Sequence, residues 1–205
     1  TATIAISSVS GGSATESGSQ SVTITIRDNE SAGSVTLTVS ASSIAENAGT
    51  SLTITATLSS TSDEDVTVAL STSGTATEGT DYTDGSGVID DITISAGDTT
   101  GTVNFTPTDD SVYEGNETAT IAISSVSGGD ASENGDQSVT VTITENESAP
   151  TVTLSVSATS IAENAGTSIT VTATLSGATD EAVTVALSTS GTATEGTDYT
   201  DGSGN

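Results

Sequence analysis

The chain repeats itself, without a gap, at an offset of 117 residues. TATIAISSVSGG at 1–12 returns unchanged at 118–129, SIAENAGTS at 43–51 returns at 160–168, and VTVALSTSGTATEGTDYTDGSG at 66–87 returns at 183–204. Laid over one another, residues 1–88 and 118–205 are identical at 70 of 88 positions. A long, faithful period means one folding unit copied in tandem. The fold must therefore close within a single period and tolerate a copy of itself on either side.

The acidic, small-residue stretches DNESAG at 28–33 and ENESAP at 145–150 read as linkers. Pro150 has no N–H to give to a sheet ladder and suits a junction. The expected organisation is therefore the C-terminal part of one repeat at 1–33, one complete repeat with its linker at 34–150, and the N-terminal part of the next at 151–205. Such similarity suggests recent duplication within a longer array. A half-sandwich exposes its core, so the two partial repeats are expected to be ordered only where neighbouring copies supply the missing strands.

Within the complete repeat, apolar residues alternate with Thr and Ser. Val35, Leu37 and Val39 do so first, then Leu52, Ile54, Ala56 and Leu58, then Val66, Val68 and Leu70. Ile92 and Ile94, Val103 and Phe105, Ala119, Ile121 and Ile123, and Val139, Val141 and Ile143 follow. Period-two alternation with β-branched residues marks half-buried strands. No segment shows a helical period. Seven short strands separated by Gly, Asp and Ser turns predict an all-β, immunoglobulin-like antiparallel sandwich. Its core must be thin: hydrophobic residues are 32% of the chain, aromatics 2%, and Phe105 is the only Phe.

Charge narrows the function. There are 28 acidic residues against a single base, Arg27, for a formal net charge of -27. That sign excludes nucleic acid, whose phosphates are bound through Lys and Arg, and excludes anionic membrane surfaces. No apolar run approaches the roughly 18–20 residues of a membrane span. Cys and His are absent, so disulfides, thiolate sites and the commonest general base are absent too. Ser and Thr nucleophiles need an adjacent base, and without His or Lys none is present; the chain reads as a non-enzyme.

The acids sit in loops. Glu46 follows the first strand and Asp81 the third; Asp109, Asp110, Glu114 and Glu117 precede the sixth; Glu145 and Glu147 follow the seventh. In a sandwich, loops that follow strands of one direction gather at one end. Carboxylates gathered there repel unless a cation sits between them. Calcium takes 6–8 oxygens in flexible geometry, whereas softer metals prefer N and S ligands that this chain lacks.

These motifs also carry a resemblance. The E-N-x-G of Glu46–Gly49, GTATEGTDY at 74–82 with SG at 86–87, SAGDTTGTVNF at 95–105, DDSVYEGNET at 109–118 and VTVTITENE at 139–147 are similar, in order and spacing, to the Calx-beta domain. That family is known from sodium–calcium exchanger regulatory domains and large bacterial surface proteins. The resemblance implies that Ca2+ is held by Glu46, Asp81, Asp109, Asp110, the carbonyl of Val112, Glu114, Glu117, Glu145 and Glu147. The matching positions in the flanking copies are Asp28 and Glu30 ahead, and Glu163 and Asp198 behind. Ser111 and Asn146 depart from the most acidic members of the family, which implies a weaker site or fewer ions.

The expected function is a calcium-stiffened stalk or fibre segment of a secreted or cell-surface protein. Its partners would be neighbouring repeats and, in a filament, identical chains. The alternatives are a calcium-sensing regulatory module and a metal-independent spacer. Near-identical repeats suit the structural reading, because sensors use few and diverged domains.

Overall fold

The computed structural model describes residues 1–26 and 32–200, so Asp28 and Glu30 lie outside the described residues. The chain divides into two units, Thr1–Ala32 and Gly33–Asn205. The first is a hairpin of β1 (Ala2–Ala5) and β2 (Ser21–Ile24), with Ala2 opposite Ile24 and Ile4 opposite Val22.

The second unit holds the complete repeat. In chain order its strands are β3 (Ser34–Val39), β4 (Ser43–Ala45), β5 (Leu52–Leu58), β6 (Val66–Gly74), β7 (Tyr82–Thr83), β8 (Ile92–Ile94), β9 (Thr100–Pro107), β10 (Val112–Tyr113), β11 (Glu117–Ser127), β12 (Ser132–Glu133) and β13 (Ser138–Thr144). Two five-stranded sheets form, in the orders β4-β13-β11-β6-β8 and β12-β3-β5-β9-β7. Their inner faces share one core, with Val35, Ile54 and Phe105 from one sheet and Val66, Ile121 and Val141 from the other, all fully buried. The seven alternating segments are all strands. β5 reads buried and half-buried in strict alternation over its whole length, because its apolar residues face the opposite sheet and its Thr residues face water. The short strands β4, β7, β10 and β12 were not expected; at two or three residues they are too brief for alternation to show.

The aliphatic core has one aromatic centre. Tyr82 lies on edge strand β7, yet it is only 1% exposed. Its ring stacks on Phe105 with centroids 4.6 Å apart. Offset stacking adds to the area that both rings bury.

After Pro150 the next copy begins with β14 (Val152–Val156), β15 (Val171–Leu175) and β16 (Ala178–Thr179). β14 and β15 pair in the register of β3 and β5, with Val152 opposite Leu175 as Val35 is opposite Leu58. β16 lies parallel to β10 of the complete repeat, Val112 facing Ala178 and Tyr113 facing Thr179. Among the described residues there is no helix.

Candidate metal centre

The strands deliver most of the acidic loops to the same neighbourhood. Parallel pairing of β4 with β13 sets Ala45 beside Thr144, so the residues that follow, Glu46 and Glu145, leave the sheet together. The Glu46 N–H donates to the Thr144 carbonyl at 3.0 Å, which fixes the spot where its side chain turns inward. Glu46 is the one charged residue of the described chain that is fully buried, at 6% exposed. Its Oε1 accepts the Asp110 N–H at 3.2 Å.

Glu145 is the most heavily bonded acid. Its Oε2 accepts N–H groups from Glu114 at 2.6 Å and Gly115 at 2.8 Å, and its Oε1 accepts those of Asn146 at 2.8 Å and Glu147 at 2.9 Å. The Glu145 N–H in turn donates to Asn116 Oδ1 at 3.0 Å. Gly115, with φ of 79°, takes the left-handed turn that points the N–H groups inward. Burial pushes the Glu145 carboxyl up, but the N–H groups of Glu147, Glu114 and Gly115 outweigh it and hold it at about 2.

Glu46, Glu145 and Glu147 bring one carboxylate oxygen each to within 4.8 Å of one another. Glu147 Oε1 accepts from Asn146 Nδ2 at 2.9 Å, while its Oε2 is buried with no hydrogen-bond partner. A buried carboxylate oxygen without a donor is costly. This donor set is all oxygen, orphaned at one atom and crowded by like charge, and it fits a hard cation such as calcium.

A second group forms beside it from Asp81, Glu114 and Glu117, again with oxygens within 4.8 Å of one another. Gly74 makes it possible. With φ of 135° it lets the chain leave β6 hard against the Thr118 carbonyl, where an added Cβ would sit 2.0 Å from that oxygen. The loop that follows is pinned by Glu78, which accepts Thr72 Oγ1–H at 2.8 Å and the Ile89 N–H at 2.6 Å. The Thr108 N–H donates to the Asp81 carbonyl at 2.9 Å and ties this loop to the acidic one.

Electrostatics record the crowding. Burial, the Asp81 charge and a hydrogen bond shared with Asp81 raise the Glu117 carboxyl to about 7, with Glu114 and Asp180 adding to it. Burial and the charges of Asp81, Asp110, Asp180 and Glu145 raise Glu114. Burial raises Glu46 against the opposing Asp110 N–H, and Glu147 is raised first by the closeness of the Glu145 carboxylate. The only side-chain base in the sequence, Arg27, lies outside the described residues.

Several expected residues play other parts. The Asp110 carboxylate caps its own turn through the Val112 N–H at 2.7 Å, and Asp109 Oδ1 accepts from Asn146 Nδ2 at 3.4 Å. Neither joins the two groups of three, and Val112 lies in β10 opposite Ala178. Asp198 accepts the Thr194 N–H, repeating what Asp81 does with Thr77, but neither Asp198 nor Glu163 joins an acidic group among the described residues. Asp180 was not expected at all. It belongs to the turn after β16 of the following copy, and no spacing within one repeat points to it.

A pH dependence follows. A carboxyl at about 7 in the folded state and near 4.5 unfolded binds more protons when folded. Its stabilisation is complete below 4.5 and is lost as pH rises through 7. In chelator the unfolding midpoint is therefore expected to rise as pH falls from about 8 to 5, as Glu46, Glu114 and Glu147 shift the same way. Glu145, held at about 2, acts only below this window. Calorimetry of Glu117→Gln should show a flatter profile; an unchanged slope would contradict the assignment.

Comparison with known proteins identifies the family. The sequence profile of the Calx-beta domain matches residues 28–147 and again 145–205. Among solved structures, the chain is similar to the apo-form Calx CBD1 domain, with TM-score 0.44 and 20% identity over 56% of this chain and 98% of that one. It is also similar to CBD12 from CALX1.2, with TM-score 0.41 and 24% identity over 49% of this chain and 40% of that one. The chain thus spans two-fifths of the latter's length. No curated protein sequence matches it.

Proposed function

Because this chain belongs to the Calx-beta domain family, we propose that its repeats bind calcium at the loop end of each sandwich and that the bound ions stiffen an extracellular stalk or fibre. The observation that carries this reading is the pair of acidic groups, Glu46–Glu145–Glu147 and Asp81–Glu114–Glu117, set in loops with no basic side chain among the described residues. Glu46, Glu145 and Glu147 would hold one ion and Asp81, Glu114 and Glu117 another. The ion supplies the positive charge that the loops lack and relieves the repulsion registered at Glu117. Asp109, Asp110 and Val112 shape the loop between the two groups and stand ready to add oxygens.

The placement of the groups favours a mechanical role. Glu145 and Glu147 lie in the segment that joins one repeat to the next, and Asp180 of the next repeat faces Glu114 and Glu117. An ion at the Asp81–Glu114–Glu117 group therefore attracts both repeats, and its removal leaves them repelling one another. A calcium-sensing module would use the same junction as its readout. The faithful repeat favours the structural role, in which every junction does the same thing. Extracellular calcium modules bind in roughly the 10⁻⁴–10⁻³ M range.

Small-angle scattering of the chain, extrapolated to zero concentration, tests the junction. Calcium is expected to narrow the distribution of interatomic distances relative to chelator, and magnesium at equal ionic strength is expected to do less. Superimposable curves with calcium and chelator would leave a metal-independent spacer.

A further inference from the structure

We propose that Asn134 is a site of spontaneous covalent modification, losing its side-chain amide nitrogen through a succinimide and becoming Asp or isoAsp, with water as the co-reactant. Asn134 and Gly135 are the one Asn-Gly pair in the sequence; the preceding copy has Ser17 and Gly18 at the same place. Both residues are exposed, in the turn between β12 and β13. Gly135 takes φ of 68°, and a Cβ built on it would meet nothing within 4 Å. Its nitrogen therefore carries no side chain beside it and faces open space. Among the described residues neither the Gly135 N–H nor the Asn134 carboxamide makes a hydrogen bond.

The peptide between the two residues is activated. The Asn134 backbone carbonyl accepts Gln137 Nε2–H at 2.7 Å. A donor on that oxygen draws electrons from the peptide and makes the Gly135 N–H easier to deprotonate. The deprotonated nitrogen attacks Asn134 Cγ. The new N–Cγ bond closes the ring, the Cγ–Nδ2 bond breaks, and the amide nitrogen takes up a proton and leaves as ammonia. Water then opens the ring. Addition at Cγ leaves Asp; addition at the Asn134 backbone carbonyl carbon leaves isoAsp, whose main chain runs through Cγ and is longer by a methylene.

The same chemistry is blocked elsewhere. Asp84 and Gly85 are a comparable pair, but Asp84 Oδ1 accepts the Ser86 N–H at 2.6 Å, the Ser86 hydroxyl at 2.8 Å and the Gly87 N–H at 3.0 Å. These bonds, the Ser86 N–H first, hold the carboxyl below its usual range, and a charged carboxylate is a poor target for a nitrogen nucleophile. Asn116 Oδ1 accepts the Glu145 N–H, and Asn146 Nδ2 donates to Asp109 and Glu147. Each of these two is followed by a Glu, whose side chain crowds the attacking nitrogen.

The mark falls on a tie between the sheets. The Asn134 N–H donates to the Val35 carbonyl at 3.0 Å, and Gln137 Oε1 accepts the Leu37 N–H at 3.3 Å, both on β3. The Gln137 carbonyl accepts the Ile123 N–H of β11 at 3.0 Å, and β3 and β11 belong to different sheets. An extra methylene at 134 shifts Gln137 against Leu37, whereas the Asp charge alone does not. The acidic groups lie beyond the other end of β13, so this inference stands apart from the calcium reading.

Peptide mapping by mass spectrometry tests it, after the full chain is incubated in heavy-oxygen water at mildly alkaline pH. Asn134 is expected to lose its amide and take up one heavy oxygen, as both Asp and isoAsp, while Asn116 and Asn146 keep their amides. Asn134→Ser, which copies the preceding repeat, is expected to remove the acidic species that ion exchange resolves as the wild type ages. The separated isoAsp form is expected to unfold at a lower temperature than Asn134→Asp; equal midpoints overturn the tie drawn between the sheets. Loss of amide at Asn134 no faster than at Asn116 and Asn146 overturns the proposal. So does conversion confined to denaturant, which would mean that the fold protects the pair, and so does Asp without isoAsp, which would mean direct hydrolysis.

Discussion

Millimolar calcium is expected to raise the thermal unfolding midpoint of the chain by on the order of 10 °C, and Glu46→Gln is expected to remove much of that rise. The size follows from linkage. At about ten times its dissociation constant each of two ions stabilises the folded state by about 1.4 kcal/mol, and each kcal/mol moves the midpoint of a domain this size by roughly 4 °C. Glu46 is the best probe because it is buried, its carboxyl is raised by that burial, and Gln keeps the oxygen that accepts the Asp110 N–H. The variant should be at least as stable as wild type in chelator and gain much less from calcium. A residue that merely supports the fold would show the opposite, a loss in chelator and an undiminished calcium response. Glu145→Gln offers the contrast. Its charge is stabilised by N–H groups, so its loss should weaken the fold even without the ion.

Phe105→Ala is expected to cost about 3–5 kcal/mol, on the order of 15 °C in midpoint, and to weaken calcium binding from a distance. The core contains no other Phe and no Trp, and Phe105 fills the space between Leu52 on β5 and the ring of Tyr82. Nothing nearby is large enough to close over the cavity. Tyr82 directly follows Asp81, and β7 is a two-residue strand held by its pairing to β9. Loosening Tyr82 therefore loosens Asp81. Phe105→Leu, which restores most of the volume, should recover much of the stability. A calcium affinity unchanged in the Ala variant would show that the core and the second acidic group are independent.

How far residues could be placed from sequence depended on where their partners lie. Alternation in 52–58 was enough to define β5, because one face of that strand meets the core and the other meets water. Glu46, Glu145 and Glu147 were named, with the other loop acids, because they lie in loops between or after recognisable strands. Asp109 and Asp110 were named for the right loop, but their carboxylates are spent on Asn146 and on the Val112 N–H, a choice made by backbone geometry that no spacing reveals. The place of Tyr82 was not legible because β7 is too short to show a pattern; its stacking on Phe105, 23 residues on, draws it into the core. Asp180 was invisible for a different reason. It acts on the repeat before its own, so the period that organises the sequence assigns it to the wrong neighbour. Glu163 and Asp198 show the reverse: the repeat names them by analogy, yet neither joins an acidic group among the described residues.

The measurement that bears most directly on the calcium reading is isothermal titration of calcium into the chain at constant ionic strength, for wild type and for Glu46→Gln combined with Glu117→Gln. Saturable binding in wild type that is lost in the double variant, while magnesium gives much less heat, is the predicted result. Binding of equal strength in both proteins, or only a weak non-saturating response shared by both cations, would contradict the account and leave the acidic loops as a charged, solvated surface.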